Sequence, residues 1–350
     1  MFRFLLYPFS LVYGFVVKFR NILFDLNILK SVQFNIPVIL VGNITVGGTG
    51  KTPHVEYLVK LLKDHYKTGV LSRGYKRKTK GIVHASTISN SDEIGDEPTQ
   101  IKNKFPDIDV VVNAGRVEGI KYMISAKTEL VILDDAYQHR YVKPGLSILL
   151  IDYNRQIDKS HLLPYGDLRE SKDNTKRADI IIITKTPELI TPAEKRVVAE
   201  GVRLYPYQKL FFTSLRYGNL CAVFPGKEDL LLDFMKNHEL FSILVVTGIA
   251  YSQPFIKYLE KYSENIVHLK FGDHSSYTAS RLNKIKKEFM MIKNDKRIII
   301  TTEKDAVKLR EVKNMPKIIA DSLFYIPIEV FFLENEQDFI NKIISYVKKN

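Results

Sequence analysis

No segment constrains this chain more than Gly42-Asn-Ile-Thr-Val-Gly-Gly-Thr-Gly-Lys-Thr-Pro53. It follows an apolar run, Val38–Val41, and opens a stretch, Pro53–His65, whose Val55, Leu58, Val59 and Leu62 share one helical face. A buried strand, a glycine-rich turn and a helix in that order bring backbone N–H groups and the positive end of a helix to one point. Gly47, Gly48 and Gly50 remove the Cβ atoms that would keep an anion away from those amides. Lys51 can neutralise β- and γ-phosphate charge, and the Thr52 hydroxyl can ligate Mg²⁺. Thr45, Val46, Gly47, Gly48, Thr49, Gly50, Lys51 and Thr52 are therefore the candidate nucleotide-phosphate loop. One departure stands out: the general pattern GxxxxGK[ST] places a glycine where this chain has Thr45.

The rest of the chain alternates in the same way. Val70–Ser72, Asp109–Val112, Leu130–Leu133, Ile148–Ile151 and Ile180–Thr184 are Val/Ile/Leu-rich at consecutive positions, the mark of strands covered on both faces. The expected fold is α/β: a mainly parallel sheet of the P-loop NTPase kind, with helices on both faces. A second series, Ile243–Thr247, Ile266–Leu269, Arg297–Thr301 and Ile328–Phe331, predicts a smaller α/β domain. The expected division is an N-terminal segment 1–30, a nucleotide-binding domain 31–205, a linker 206–222 with a turn at Gly218-Asn219, and a second domain 223–350. The formal charge of +13 points to anionic partners, and a single cysteine, Cys221, excludes a disulfide framework.

Phe4–Val17 is the most apolar stretch, too short to cross a bilayer. In Lys18–Lys30, Phe19, Ile22, Leu23, Leu26 and Leu29 fall at helical spacing, with Lys18, Arg20, Asn21 and Asp25 on the other side. Lys-Phe-Arg-Asn follows the apolar run where a secretory signal would need a small-residue cleavage site. The segment reads as an interfacial helix or helix pair on an anionic membrane surface, or as a helix packed on its own domain.

A nucleotide site of this kind also needs a carboxylate at the end of a neighbouring strand. Asp134 and Asp135 end the run Leu130–Leu133, with Asp134 expected to face Mg²⁺ and Asp135 to stand behind it. Guanine readers usually carry Asn-Lys-x-Asp after a later strand; Thr184-Lys185-Thr186-Pro187 lacks that acid, which favours ATP.

The string Gly42–Pro53 resembles the tetraacyldisaccharide 4′-kinase family, the lipid A 4′-kinases. Six further blocks follow in that family's order: Leu71-Ser-Arg-Gly-Tyr75, Gly95-Asp-Glu-Pro98, Asp134-Asp-Ala-Tyr-Gln-His139, Leu168-Arg-Glu170, Phe271-Gly-Asp-His274 and Thr302-Glu-Lys-Asp-Ala-Val-Lys-Leu309. Ala136-Tyr137, Tyr165, Asp167 and Ser275 depart from the family's usual residues. The resemblance implies transfer of the ATP γ-phosphate to the 4′-hydroxyl of an acylated glucosamine disaccharide 1-phosphate by a peripheral enzyme at the cytoplasmic face of the inner membrane. It implies Asp96 as the base, His274 as its partner, and domain closure that brings the two together. Arg73, Arg116 and Arg169 become candidates for substrate phosphates, and Gln138, His139 and Glu170 line the site. Glu303 and Asp305 belong to the shared blocks without a role. Other P-loop enzymes, such as a soluble metabolite kinase or an ATPase assembly factor, stay open as alternatives. A nucleic-acid-binding protein is a further one, but no nucleic-acid-binding motif accompanies the charge.

Overall fold

The computed structural model describes residues 2–349 other than 156 and 274. It divides into two compact units, one running up to Arg216 and resuming at Val330, the other spanning Tyr217–Glu329.

In the first unit the apolar runs become β1 (Val38–Gly42), β2 (Thr68–Ser72), β3 (Val83–His84), β4 (Asp109–Val112), β5 (Leu130–Asp134), β6 (Leu146–Asp152), β7 (Ile180–Thr184) and β8 (Lys209–Tyr217). Its helices are α1 (Tyr7–Asp25), α2 (Lys51–Leu62), α3 (Ser91–Ile94), α4 (Asp96–Lys104), α5 (Arg116–Ser125) and α6 (Pro192–Val202). The second unit holds β9 (Cys221–Ala222), β10 (Ser242–Thr247), β11 (Ile266–Lys270), β12 (Arg297–Thr302) and β13 (Leu323–Ile326). With them come α7 (Glu228–Asn237), α8 (Gln253–Leu259), α9 (Ala279–Met291), α10 (Glu303–Arg310) and α11 (Lys317–Ala320). The chain then returns as β14 (Ile328–Phe332) and α12 (Glu336–Lys348).

Among the described residues the large sheet runs β14-β8-β7-β6-β1-β5-β2-β4-β3, parallel from β8 to β4 and closed by antiparallel β3. Every residue of β1, β2, β5, β6 and β7 is buried, because helices cover both faces. Side chains alternate across a strand. Ile39 and Val41 therefore join Val55, Leu58, Val59 and Leu62 of α2 in one core, while Val38 and Leu40 join Ile120 and Met123 of α5 in the other. The smaller sheet runs β11-β10-β12-β13-β9, parallel but for β9. It too has a core on each face.

Two expectations are corrected. The expected linker 206–222 is largely β8, paired with β7 and burying Phe211, Phe212 and Thr213; polar Thr213, Ser214 and Arg216 break its apolar run and hide the strand from a composition-based reading. The run Ile328–Phe331 joins the large sheet as β14, and the chain from Val330 onward belongs to the first unit, because chain order and sheet order differ. On α12, Phe339, Ile343 and Val347 enter the first unit's core, and Val38 N–H at the start of β1 donates to the Tyr346 hydroxyl at 2.9 Å.

The N-terminus forms one helix after a short 3-10 turn, and its sides are used in reverse of the usual arrangement. The polar side docks. Ser10 Oγ donates to the Leu162 carbonyl at 2.7 Å, Tyr13 Oη to the Arg169 carbonyl at 2.9 Å, and Asn21 Nδ2 to Glu170 Oε2 at 3.2 Å. Arg140 pairs with Asp25 at 2.6 Å, and Arg20 donates to the Gln138 carbonyl instead of facing outward. The apolar side is left in the open: Phe9, Leu11, Val12, Phe15, Val16 and Phe19 are all exposed, Phe15 by 71%. No helix among the described residues is long and apolar enough to cross a membrane.

Candidate active site

Between β1 and α2, the loop's carbonyls from Val46 to Gly50 are all engaged, that of Gly47 within the loop and the others by side chains. The Val46 carbonyl accepts from Arg155 Nη1 at 2.6 Å, and that of Gly47 from Thr49 N–H at 3.0 Å. The Gly48 carbonyl accepts from Lys185 Nζ, that of Thr49 from Thr184 Oγ1 at 2.9 Å, and that of Gly50 from His54 Nδ1 at 2.7 Å. Gly47 must lack a side chain, since a Cβ there would stand 2.5 Å from Arg155 Nη1 and φ is 95°. Two loop amides are spent within the protein, Val46 N–H on the Asp167 carbonyl at 2.8 Å and Thr49 N–H on that of Gly47, while the first N–H groups of α2, at Lys51 and Thr52, have no acceptor within the helix and suit an anion. The Lys185 ammonium also pairs with Asp152 at 2.7 Å, a carboxylate buried at the end of β6.

His54 is fully buried. Its Nδ1–H donates to Gly50 O, so Nε2 accepts from Thr213 Oγ1 at 3.0 Å, tying the loop to β8. Burial lowers its pKa to about 4, against a smaller upward pull from the Gly50 bond. The ring is therefore neutral, as this pair of bonds requires.

Asp134 and Asp135 stand at the end of β5, beside the loop, and differ in surroundings. Asp134 is buried and accepts from Ser72 Oγ at 3.0 Å. Burial, then the charges of Asp135 and Glu97, push its pKa up to about 6 despite Lys51. Asp135 turns the chain with φ at 47° and lies 3.6 Å from Lys51 Nζ and 3.1 Å from Arg169 Nη1. Burial would raise its pKa, but those two cations outweigh it and hold the carboxyl below its ordinary value. Lys51, Asp134, Asp135 and Arg169 are thus brought together.

Asp96 opens α4 directly after Gly95, whose φ of 93° lets the chain turn into the helix. Arg116 is nearly inaccessible and donates to the carbonyls of Asn113 and Asp134; its buried Nε has no partner. Burial lowers its pKa to about 10. Arg73 is exposed. Gln138 Nε2 donates to Asn43 O at 2.8 Å, holding the start of the loop. Burial and then the charge of Arg116 lower the pKa of His139 to about 4. Glu170 does not face open space: it is buried between Arg177 at 2.6 Å and Asn21 of α1. Thr45, in the place of the usual glycine, has a buried Oγ1 without a partner, and it bridges Leu168.

His274 lies outside the described residues. In the second unit, Asp305 is a buried carboxylate that accepts from Gly248 N–H at 2.9 Å and Thr302 Oγ1 at 2.6 Å. It fixes the turn after β10 and the start of α10. Sequence reasoning missed His54, Asp152, Arg155 and Lys185. Asp152 and Lys185 carried a usable signal, since each stands at the end of an apolar strand, as Asp134 does.

Fold and loop define a P-loop nucleotide-binding protein. The family model described as Tetraacyldisaccharide-1-P 4′-kinase, LpxK, matches residues 2–348, and the chain belongs to that family. The tetraacyldisaccharide 4′-kinase of Phocaeicola vulgatus is 49% identical over 99% of this chain and 95% of its own length. That of Flavobacterium psychrophilum is 43% identical over 99% and 97%. Among solved structures, LpxK from Aquifex aeolicus in complex with ATP superposes with a TM-score of 0.76 at 29% identity, covering 99% of this chain and all of that one.

Two consequences can be measured. Lys185→Met, which frees the Gly48 carbonyl, weakens ATP binding about tenfold in a fluorescent-nucleotide titration, the loss of one charge-assisted bond. For His54 the folded pKa lies below the unfolded value. The unfolded chain therefore takes up the proton first, so stability is full above about pH 6.5 and falls as pH drops towards 4. Urea unfolding at pH 4.5 and 7.5 shows a smaller pH difference for His54→Asn than for the parent.

Proposed function

We propose that this chain transfers the γ-phosphate of ATP to the 4′-hydroxyl of an acylated glucosamine disaccharide 1-phosphate. The observation that carries the reading is a preorganised phosphate loop in the same unit as a helix that turns its apolar side outward. That helix docks on Gln138, Arg169 and Glu170, residues of the site's own blocks. A soluble acceptor has no use for such a face; an acylated one does.

Loop amides and Lys51 hold the β- and γ-phosphates and counter the charge that develops as the phosphoryl group moves. Asp96 takes the proton of the 4′-hydroxyl as its oxygen bonds to the γ-phosphorus, and the bond to the β,γ-bridging oxygen breaks to leave ADP. His274 as the partner of Asp96 rests on its sequence block alone. Arg73, the exposed arginine, suits a bidentate contact with a substrate phosphate; Arg169 is already committed to Asp135, and Arg116 to backbone carbonyls. No group of three or more His, Cys, Asp or Glu side chains among the described residues could hold a metal alone. Thr52, Asp134 and Asp135 nevertheless fit Mg²⁺, which binds through one or two carboxylates, water and substrate phosphates. Asp134, buried and pushed towards its neutral form, has most to gain from a cation. When bound, Mg²⁺ would neutralise charge between the β- and γ-phosphates.

The exposed apolar side of α1 lies on the membrane in this reading, with the enzyme peripheral at the cytoplasmic face of the inner membrane. Lys18, exposed on the same helix, can meet anionic headgroups.

Purified protein with Mg-ATP and the acylated disaccharide 1-phosphate in mixed micelles gains one phosphoryl group on the sugar by mass spectrometry. Asp96→Asn lowers turnover at least a hundredfold while ATP binding persists. An Asp96→Asn protein with parental turnover removes Asp96 as the base, and the absence of any phosphorylated sugar ends the reading. In vesicle sedimentation, replacing Val12, Phe15 and Phe19 by serine releases the protein from vesicles containing anionic lipid; unchanged pelleting argues against membrane docking through α1.

A further inference from the structure

α2 opens with Lys51 and Thr52, and α4 opens with Asp96. One turn along α2 and one to two turns along α4, the helices are joined by polar bonds, that to Gln100 buried and that to Lys104 partly so. Glu56 Oε1 accepts from Gln100 Nε2 at 2.8 Å, and Glu56 Oε2 accepts from Lys104 Nζ at 2.6 Å. Glu56 is 5% exposed and Gln100 is 7% exposed. Residues four apart share a helix face. Thr52 and Glu56 therefore form one row, and Asp96, Gln100 and Lys104 form a second row, with Glu56 bridging the two.

A carboxylate this deep is tolerated because both of its oxygens are engaged. An apolar pair of similar volume would hold two helices together at least as well. What apolar contacts do not supply is register: they slide, whereas a two-oxygen acceptor facing an amide and an ammonium one turn apart has a single fit. We propose that Glu56, with Gln100 and Lys104, is a positioning residue that sets the height of Asp96 relative to Lys51 and Thr52, and so the distance from base to phosphate. The inference rests on the reading of Asp96 as the base. In this role the three side chains act through the helix that carries Asp96.

The test is a mutant cycle on the full-length enzyme. Gln100→Leu and Glu56→Leu each lower kcat ten- to hundredfold, the penalty of misplacing a reacting group by about 1 Å. ATP affinity stays within twofold and the thermal midpoint within a few degrees. The exchange Glu56→Gln with Gln100→Glu rebuilds an amide–carboxylate bond across the same gap and recovers most of the lost kcat. In the Asp96→Asn background the Leu substitutions cost less than twofold, because the group they place is gone. Parental kcat in Gln100→Leu overturns the proposal. So does an exchanged pair that folds yet stays as slow as the single variants, or an equal loss with and without Asp96, which marks a purely structural contact. If Asp96→Asn alone keeps parental turnover, the base reading fails first, and that is read with the Glu56 bridge intact.

Discussion

A backbone loop can present its amides to an anion only if its carbonyls are satisfied elsewhere. Peptide groups are rigid dipoles, and turning the N–H inward turns the C=O outward into protein, where an unmade hydrogen bond costs about 1–3 kcal/mol. Here Arg155, Lys185, Thr184 and His54 supply donors to Val46, Gly48, Thr49 and Gly50. Those donors stand on the loop after β6, the end of β7 and the first turns of α2. The sheet thus serves the site by delivering three donors to one rim, α2 adds the fourth, and Gly47 serves it by leaving room for Arg155.

The N-terminal helix inverts ordinary amphipathicity, docking through polar residues and leaving aromatic ones in the open. That arrangement is unfavourable in water alone and makes sense when a second, apolar medium covers the outer side. Because its inner side holds Glu170 and the Arg169 and Gln138 carbonyls, whatever the outer side rests on is mechanically continuous with the phosphate site.

Much of this was legible in the sequence. The strands β1, β4, β5 and β7, the loop and the paired carboxylates announce themselves through local rules: consecutive apolar residues, glycine spacing, an acid after a strand. β8 was not legible, since a strand interrupted by Thr213, Ser214 and Arg216 beside a Gly-Asn turn reads as a connection. Nor was the destination of β14, because no local signal states which sheet a strand joins. The inward use of Arg20, Asn21 and Asp25 escaped for a related reason: helical spacing separates two faces but does not say which one the protein keeps. His54, Arg155 and the Glu56–Gln100 bridge are contacts between segments far apart in the chain or roles that only the folded loop defines, so composition and spacing are silent about them.

The return of the chain to its first unit bears on how the molecule is made. Tyr346 bonds to Val38, and Phe339, Ile343 and Val347 close the core against Ile39 and Leu58. The central strand and α12 can meet only after the whole intervening Tyr217–Glu329 unit has been made, a contact of long sequence separation. A nascent chain that stalls before α12 would therefore display an unfinished apolar surface to chaperones and proteases, so that this helix is itself a condition for a durable fold.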